Sequence, residues 1–246
     1  MRASGLLLVS IVTAWVSTCA YAQGQPLLIA RIADMPDQYI GGEILKVVYA
    51  RMKVPMALLD MPAKRALAES STGRIDGEVQ RIFDVGNEYP TLLPVRPPIN
   101  CIEPSAFVKS SRKIMDRAHG WDSIRGLTVG IVRGVGSSER GTAGMPRVVP
   151  IDTLDQAMLM LEGERVDVVV SDRFSGLVSV KKLGLQNSIV ALSPPFEKIY
   201  IYHFLHKKHA ALVPKVESVL QQMASTGELE ELRVSLVRQY LEQTGR

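Results

Sequence analysis

The sequence predicts an α/β protein of two lobes, each a mainly parallel sheet flanked by helices, with two crossings forming a hinge. Three observations predict it. Residues 127–172 read as a βαβαβ unit: a β-rich run, a glycine turn into a helix, a capped helix, and a second buried run closing on Ser171-Asp172. The same order appears earlier in the chain, and Arg74-Ile75-Asp76 is mirrored by Arg165-Val166-Asp167, each following a helix and opening a strand. Two further β-rich runs, near 103–108 and 198–204, return the chain from one unit to the other. These runs predict one lobe from residues 23–105 and 200–246 and a second from 106–199.

The chain begins with Arg2, an apolar run over 6–16, and Ala20-Tyr21-Ala22. That pattern is a cleavable signal peptide of residues 1–22 and implies export to the periplasm. The run is short of the roughly 18 residues a spanning helix needs. A lipoprotein signal ending at Cys19 fits less well, because Thr18 replaces the usual small residue. Cleavage at Ala22 leaves Cys101 as the only cysteine of the mature chain, so no internal disulfide is expected.

In the first lobe, residues 27–33 form a strand ending at Asp34, and Ile40, Ile44, Val47, Val48 and Met52 form a helical stripe. Pro62 suits a helix's first turn, with Arg65 just inside. Asp76-Gly77-Glu78 opens a strand, and Arg81 follows. Residues 89–98 are rich in proline and read as extended and turn-rich. Trp121-Asp122-Ser123-Ile124 is a short helical turn leading into the second lobe. There Thr153 and Gln156 make a capping box before Leu154, Ala157, Met158 and Leu161. Ser193-Pro194-Pro195 breaks the chain before it returns. Two amphipathic helices end it, one carrying Val216, Leu220 and Met223, the next Leu229, Leu232, Leu236 and Tyr240, with Gly227 between them.

A net charge of +4 with Lys and Arg dispersed, apart from Ser110-Ser111-Arg112-Lys113, leaves no nucleic-acid footprint. No G-x-S-x-G or H-E-x-x-H occurs, and Glu230-Glu231 sits on a solvated helix face, so no enzyme is expected. His203, His206 and His209 straddle a strand-like run and lack a carboxylate or cysteine cluster, so no metal and no cofactor are expected.

Ligands of βαβ units bind at the carboxyl ends of the strands. Asp34, Arg81, Arg133, Ser137, Ser138 and Asp172 fall there; Glu78 opens the strand that leads to Arg81, and Arg65 lies on the helix between two such ends. Gly134-Val135-Gly136-Ser137-Ser138 presents free N–H groups and hydroxyls at a helix start, which suits a carboxylate; an ordinary strand-to-helix turn is the alternative. Glu139 stands where a dinucleotide fingerprint needs its third glycine. Asp172 is either a cleft residue, a helix N-cap, or both. Arg81 either meets a ligand or pairs with Glu78 or Asp84. Asp76 and Asp167 hold equivalent places and read as turn or cap residues.

The segments VGIVRGVGSSE (129–139) and LEGERVDVVVSD (161–172) resemble the strand–glycine–serine and helix–strand–aspartate segments of periplasmic solute-binding proteins of the polar-amino-acid type (family 3, type II fold). The resemblance covers nearly the whole mature chain. It implies Ser137 and Ser138 on a ligand carboxylate and Asp172 on its amino group. The first lobe departs from the family pattern. The family's carboxylate-binding Arg would fall near Glu88-Tyr89, and the segment ending that lobe is reduced to Val95-Arg96-Pro97-Pro98. Pro62-x-x-Arg65 and Asp76-Gly77-Glu78-x-x-Arg81 are instead similar to a divergent branch of transporter substrate-binding domains. The resemblance implies a monomeric exported protein that captures a small anionic or zwitterionic solute for an ABC-type permease, or a sensing module of the same fold.

Overall fold

The computed structural model describes residues 25–112 and 119–243. The expected signal peptide, with Cys19 and Ala20-Tyr21-Ala22, lies outside the described residues, as does Lys113 of the small basic cluster. Among the described residues no helix is long and apolar enough to cross a membrane.

Two separate five-stranded sheets form the molecule. The first contains β1 (Leu27–Ile32), β2 (Met56–Met61), β3 (Gly77–Ile82), β4 (Leu92–Ile102) and β10 (Ile199–His206), in the order β2-β1-β3-β10-β4. The second contains β5 (Pro104–Lys109), β6 (Val129–Val132), β7 (Val148–Ile151), β8 (Val168–Asp172) and β9 (Ile189–Ala191), in the order β7-β6-β8-β5-β9. β1 pairs parallel with β2 and β3, and β6 pairs parallel with β7 and β8. One strand in each sheet runs against the rest: β10 pairs antiparallel with β3 and β4, and β5 with β8 and β9. Each reversed strand is the one delivered by a crossing. The runs at 103–108 and 198–204 are therefore sheet strands, and the chain passes between sheets just before β5 and in the segment 192–198.

The repeated tripeptides have matching geometry. Asp76 Oδ2 accepts the N–H of Leu28 at 2.7 Å, and Asp167 Oδ2 accepts that of Thr128 at 2.9 Å. Each carboxylate thus ties the start of one strand, β1 or β6, to the chain entering its neighbour, β3 or β8. Ile75 and Val166, between the matched Arg and Asp residues, are both buried.

Helix α1 (Pro36–Arg51) buries Ile40, Ile44 and Val48 in the first lobe, and α2 (Ala63–Ser71) buries Ala66. The short α3 (Val85–Glu88) precedes β4. In the second lobe, the short α4 (Gly136–Gly141) follows the glycine turn, and α5 (Leu154–Glu162) starts at Thr153, whose side chain accepts from the Gln156 N–H. Leu154, Ala157, Met158 and Leu161 pack that lobe's core. α6 (Arg173–Lys182) follows β8. Val216, Leu220 and Met223 of α7 (Val213–Ser225) are fully buried against the first lobe. Gly227, at φ 81°, turns the chain into α8 (Glu228–Gln243), whose apolar face is partly buried there.

The proline-rich stretch differs from expectation. Pro94, Pro97 and Pro98 lie inside the 11-residue strand β4 rather than in a turn. β4 is an edge strand, paired only with β10, so a missing N–H on its outer side breaks no ladder. The pairing with β10 shifts register between Ile201 and His203, opposite residues 95–100.

Candidate functional site

The carboxyl ends of β1, β3 and β6 converge between the lobes. β3 is buried along its whole length, and it carries two charges into that cleft. Glu78 Oε1 accepts from Ser70 Oγ at 2.7 Å, and its Oε2 accepts from Arg81 Nε at 2.7 Å. Arg81 also donates to the Ala63 carbonyl at 2.8 Å and, across the cleft, to the Gly134 carbonyl at 3.1 Å. Gly134 has φ 80°, and a Cβ there would lie 2.7 Å from the backbone nitrogen of Lys64. Glycine therefore serves both the left-handed backbone and the close approach of the two lobes.

The Gly134 N–H donates to Glu139 Oε1 at 2.8 Å, so part of the expected cradle is satisfied by the chain itself. Ser137 and Ser138 are buried in the first turn of α4. Ser137 shares a cavity of about 40 Å³ with Arg81, Asp37, Gln38 and Gln80.

A second polar cluster joins the starts of α1 and α6. Ser175 Oγ donates to Asp37 Oδ1 at 3.0 Å and accepts the Asp37 N–H at 3.2 Å. Gln80 Nε2 donates to Asp37 Oδ2 at 2.9 Å and to the Asp37 carbonyl at 3.0 Å. Gln38 Nε2 donates to the Gln80 carbonyl at 3.3 Å. Burial, aided by the negative charge of Asp172, pushes the Asp37 carboxyl up to about 7. Asp172 caps α6 by accepting the Ser175 N–H at 3.0 Å, and it accepts the Glu103 N–H, at the first crossing, at 2.9 Å. Burial raises its pKa as well.

The structure thus brings Glu78, Arg81 and Ser137 together, with Ser138 beside them and Asp172 in the neighbouring cluster. Arg65 stands exposed on α2. Arg133 turns outward, with Nε 3.4 Å from Asp152 Oδ1 and NH2 3.2 Å from the Pro150 carbonyl. Asp34 is exposed at φ 56° and lines a separate cavity of about 280 Å³ with Arg31, Tyr39, Asp155 and Lys182. Asp37, Gln38, Gln80 and Ser175 are absent from the sequence-derived candidates. One signal pointed to the first of them: Pro36 just past β1 marks a helix start and puts Asp37 in its first turn.

At the cleft mouth, α2, α3 and α4 enclose a larger cavity of about 710 Å³, with Lys64, Glu88, Tyr89 and Arg140 in its wall. Arg140 reaches across to Asp84 at 3.0 Å. The histidines do not converge. His203 is fully buried, its Nδ1 2.6 Å from the Glu78 carbonyl and its Nε2 2.8 Å from Tyr49 Oη. His209 binds Asp76 at 2.7 Å, and His206 packs against Gly73. Among the described residues no three His, Cys, Asp or Glu side chains are placed to hold a metal.

No protein-family model and no curated protein sequence matches the chain. Solved structures do. A histidine kinase sensor domain with similarity to periplasmic binding proteins superimposes with a TM-score of 0.73 at 16% identity, covering 87% of this chain and 96% of that one. A P235GK mutant of ArgBP from T. maritima gives 0.70 at 21% identity, covering 84% and 92%. The amino acid ABC transporter substrate-binding protein AbpA from Streptococcus pneumoniae, bound to L-arginine, gives 0.70 at 16%, covering 87% and 94%. The shared architecture is the two-lobed type II periplasmic-binding-protein fold.

Proposed function

We propose that this chain, with the fold of the type II periplasmic binding proteins, is an exported monomeric protein that closes on a small polar solute and delivers it to an ABC-type permease. Residues 23–105 and 200–246 would form one lobe and 106–199 the other. The observation that carries this reading is the meeting of buried polar groups from both sheets' strand ends: Arg81 with Gly134, and Asp37 with Ser175. Polar groups are costly to bury without partners, so a cleft lined with them suits a polar guest. Glu78 offsets Arg81, while Asp37 and Asp172 add further carboxylates nearby. That balance favours a zwitterion over a plain anion. The names of ArgBP and AbpA, the latter bound to L-arginine, support solute binding rather than catalysis. The leader pattern at residues 1–22 supports the periplasm.

A second reading, a ligand sensor uncoupled from transport, has its own support. The neighbours include a histidine kinase sensor domain. The test is a thermal-shift screen of polar solutes followed by calorimetry, since a ligand of the folded state stabilises it by RT ln(1 + [L]/Kd). Adjacent permease and ATPase genes favour transport, and an adjacent sensor kinase favours signalling. A chain that no small solute stabilises or binds would refute both readings.

A further inference from the structure

We infer that the C-terminal helix α8 is a strap across the seam between the lobes, coupled to their closure through Tyr240. The inference goes beyond solute binding and does not depend on which solute is bound.

The helix is anchored on the first lobe. It runs antiparallel to α1: Glu228 at its start accepts from Arg51 NH1 at 3.0 Å, and Tyr240 near its end meets the Tyr39 ring at 5.1 Å between centroids. Between these points Leu229, Leu232, Leu236 and Val237 pack against the first lobe's core. α8 thus follows α1 back to its first turn. The lobes meet at that turn, where Asp37 bonds Ser175 of α6.

Tyr240 also reaches the second lobe. Its ring centroid lies 6.0 Å from that of Phe174, in the first turn of α6, with the planes at 66°. Such edge-to-face pairs attract beyond the area they bury. Phe174 belongs to the helix that follows β8 of the second sheet, yet it packs against the first lobe's core. The three rings therefore form a chain from α1 through α8 to α6. The electrostatics of the Tyr240 hydroxyl agree. Burial raises its pKa, and the charges acting on it come from both sides: Lys182 and Asp155 of the second lobe, Arg31 of the first. The cavity of about 280 Å³ beside it has Asp34 and Tyr39 on one wall, Ser179 and Lys182 on the other, and Tyr240 between them. Direct packing between the lobes is interrupted there, and the aromatic ring bridges the gap.

Opening the lobes draws Phe174 away from Tyr39, and Tyr240 cannot follow both. The end of α8 then loses one of its two ring contacts. Coupling of this kind is reciprocal: opening loosens α8, and a partner that pulls α8 aside weakens closure. No residue of α8 is fully buried, so the helix can shift without opening the core.

The test needs no solute. Hydrogen-exchange mass spectrometry and small-angle scattering are run on the full chain as wild type, Phe174→Ala, Tyr240→Ala and Tyr240→Phe. Phe174→Ala, in the second lobe, should speed exchange in residues 236–243 roughly three- to ten-fold, the loss of one aromatic pair. Tyr240→Ala should do the same to residues 173–179 of α6 and enlarge the radius of gyration. Tyr240→Phe should match wild type, because the ring and not the hydroxyl makes the bridge. The two alanine variants approach one contact from opposite lobes, so either decides the matter if the other does not fold. A helix docked on the first lobe alone gives another pattern. Tyr240→Ala would then quicken exchange only within α8, with α6 and the scattering unchanged, and Phe174→Ala would leave α8 as in wild type. That pattern would overturn the strap and leave the solute-binding reading to its own screen.

Discussion

The guanidinium of Arg81 donates to the carbonyl oxygen of Gly134 at 3.1 Å, joining the two lobes at the centre of the cleft. The same side chain neutralises Glu78, and the two are 5% and 1% exposed. Removing one partner of a buried pair leaves the other charge without compensation. Arg81→Ala should therefore destabilise the fold by about 3–5 kcal/mol. Arg81→Met combined with Glu78→Gln should recover much of that loss. Urea unfolding of the three proteins checks this, and a wild-type midpoint for Arg81→Ala would show that the pair is not buried in solution.

Gly134→Ala should hold the lobes apart. The residue sits at φ 80°, and an added Cβ would lie 2.7 Å from Lys64 N and 2.8 Å from Lys64 Cγ. The left-handed backbone alone costs roughly 1–2 kcal/mol for a residue with a side chain. The clash with α2 is relieved only by separating the lobes. Small-angle scattering should show a larger radius of gyration for the variant, and an unchanged profile would contradict this close approach.

The Asp37 carboxyl gives stability a pH dependence of unusual sign. Its folded value, about 7, lies above its ordinary 3.8, so the folded state holds a proton that the unfolded chain has released between those values. Stability from this group is present below about 4 and is lost as pH rises through 7. Denaturation at several pH values should show wild type losing ground against Asp37→Asn across that window. A constant difference between the two would remove Asp37 as the cause.

His203 acts in the opposite direction. Burial lowers its pKa from 6.5 to about 4, and the neutral ring donates from Nδ1 to the Glu78 carbonyl while accepting from Tyr49 Oη at Nε2. The unfolded chain takes up the proton first on acidification, so this group's contribution is full above 6.5 and falls away towards pH 4. The loss amounts to roughly 3 kcal/mol. His203→Gln should flatten that limb of the stability profile, and NMR titration should find the His203 ring neutral at pH 6. A ring that titrates near 6.5 would contradict its burial.

Much of the architecture was legible because it rests on local patterns. The spacing of Leu154, Ala157, Met158 and Leu161 marked a helix face, Thr153 marked its start, and Gly227 marked the turn between the two C-terminal helices. Asp76 and Asp167 were recognisable as structural because an Arg, a β-branched residue and an Asp recurred in the same order of elements. The proline-rich strand β4 was not legible, since its tolerance of Pro94, Pro97 and Pro98 depends on lying at a sheet edge. Nothing within the strand itself reveals that position.

By itself, the sequence determined most of the order of strands and helices, β4 excepted, together with the repeated unit and the strand ends where chemistry would gather. Periodicity, capping and turn residues act over a few positions, so they can be read without knowing the rest of the chain. The tertiary structure alone decided which charges occupy the cleft. It turned Arg133 outward to Asp152, matched Arg81 with Glu78, and buried Asp37 against Ser175, 138 positions away. Burial and pairing depend on distances between elements brought together only by packing, and those distances determine whether a charged side chain is solvated, neutralised, or left for a ligand to satisfy.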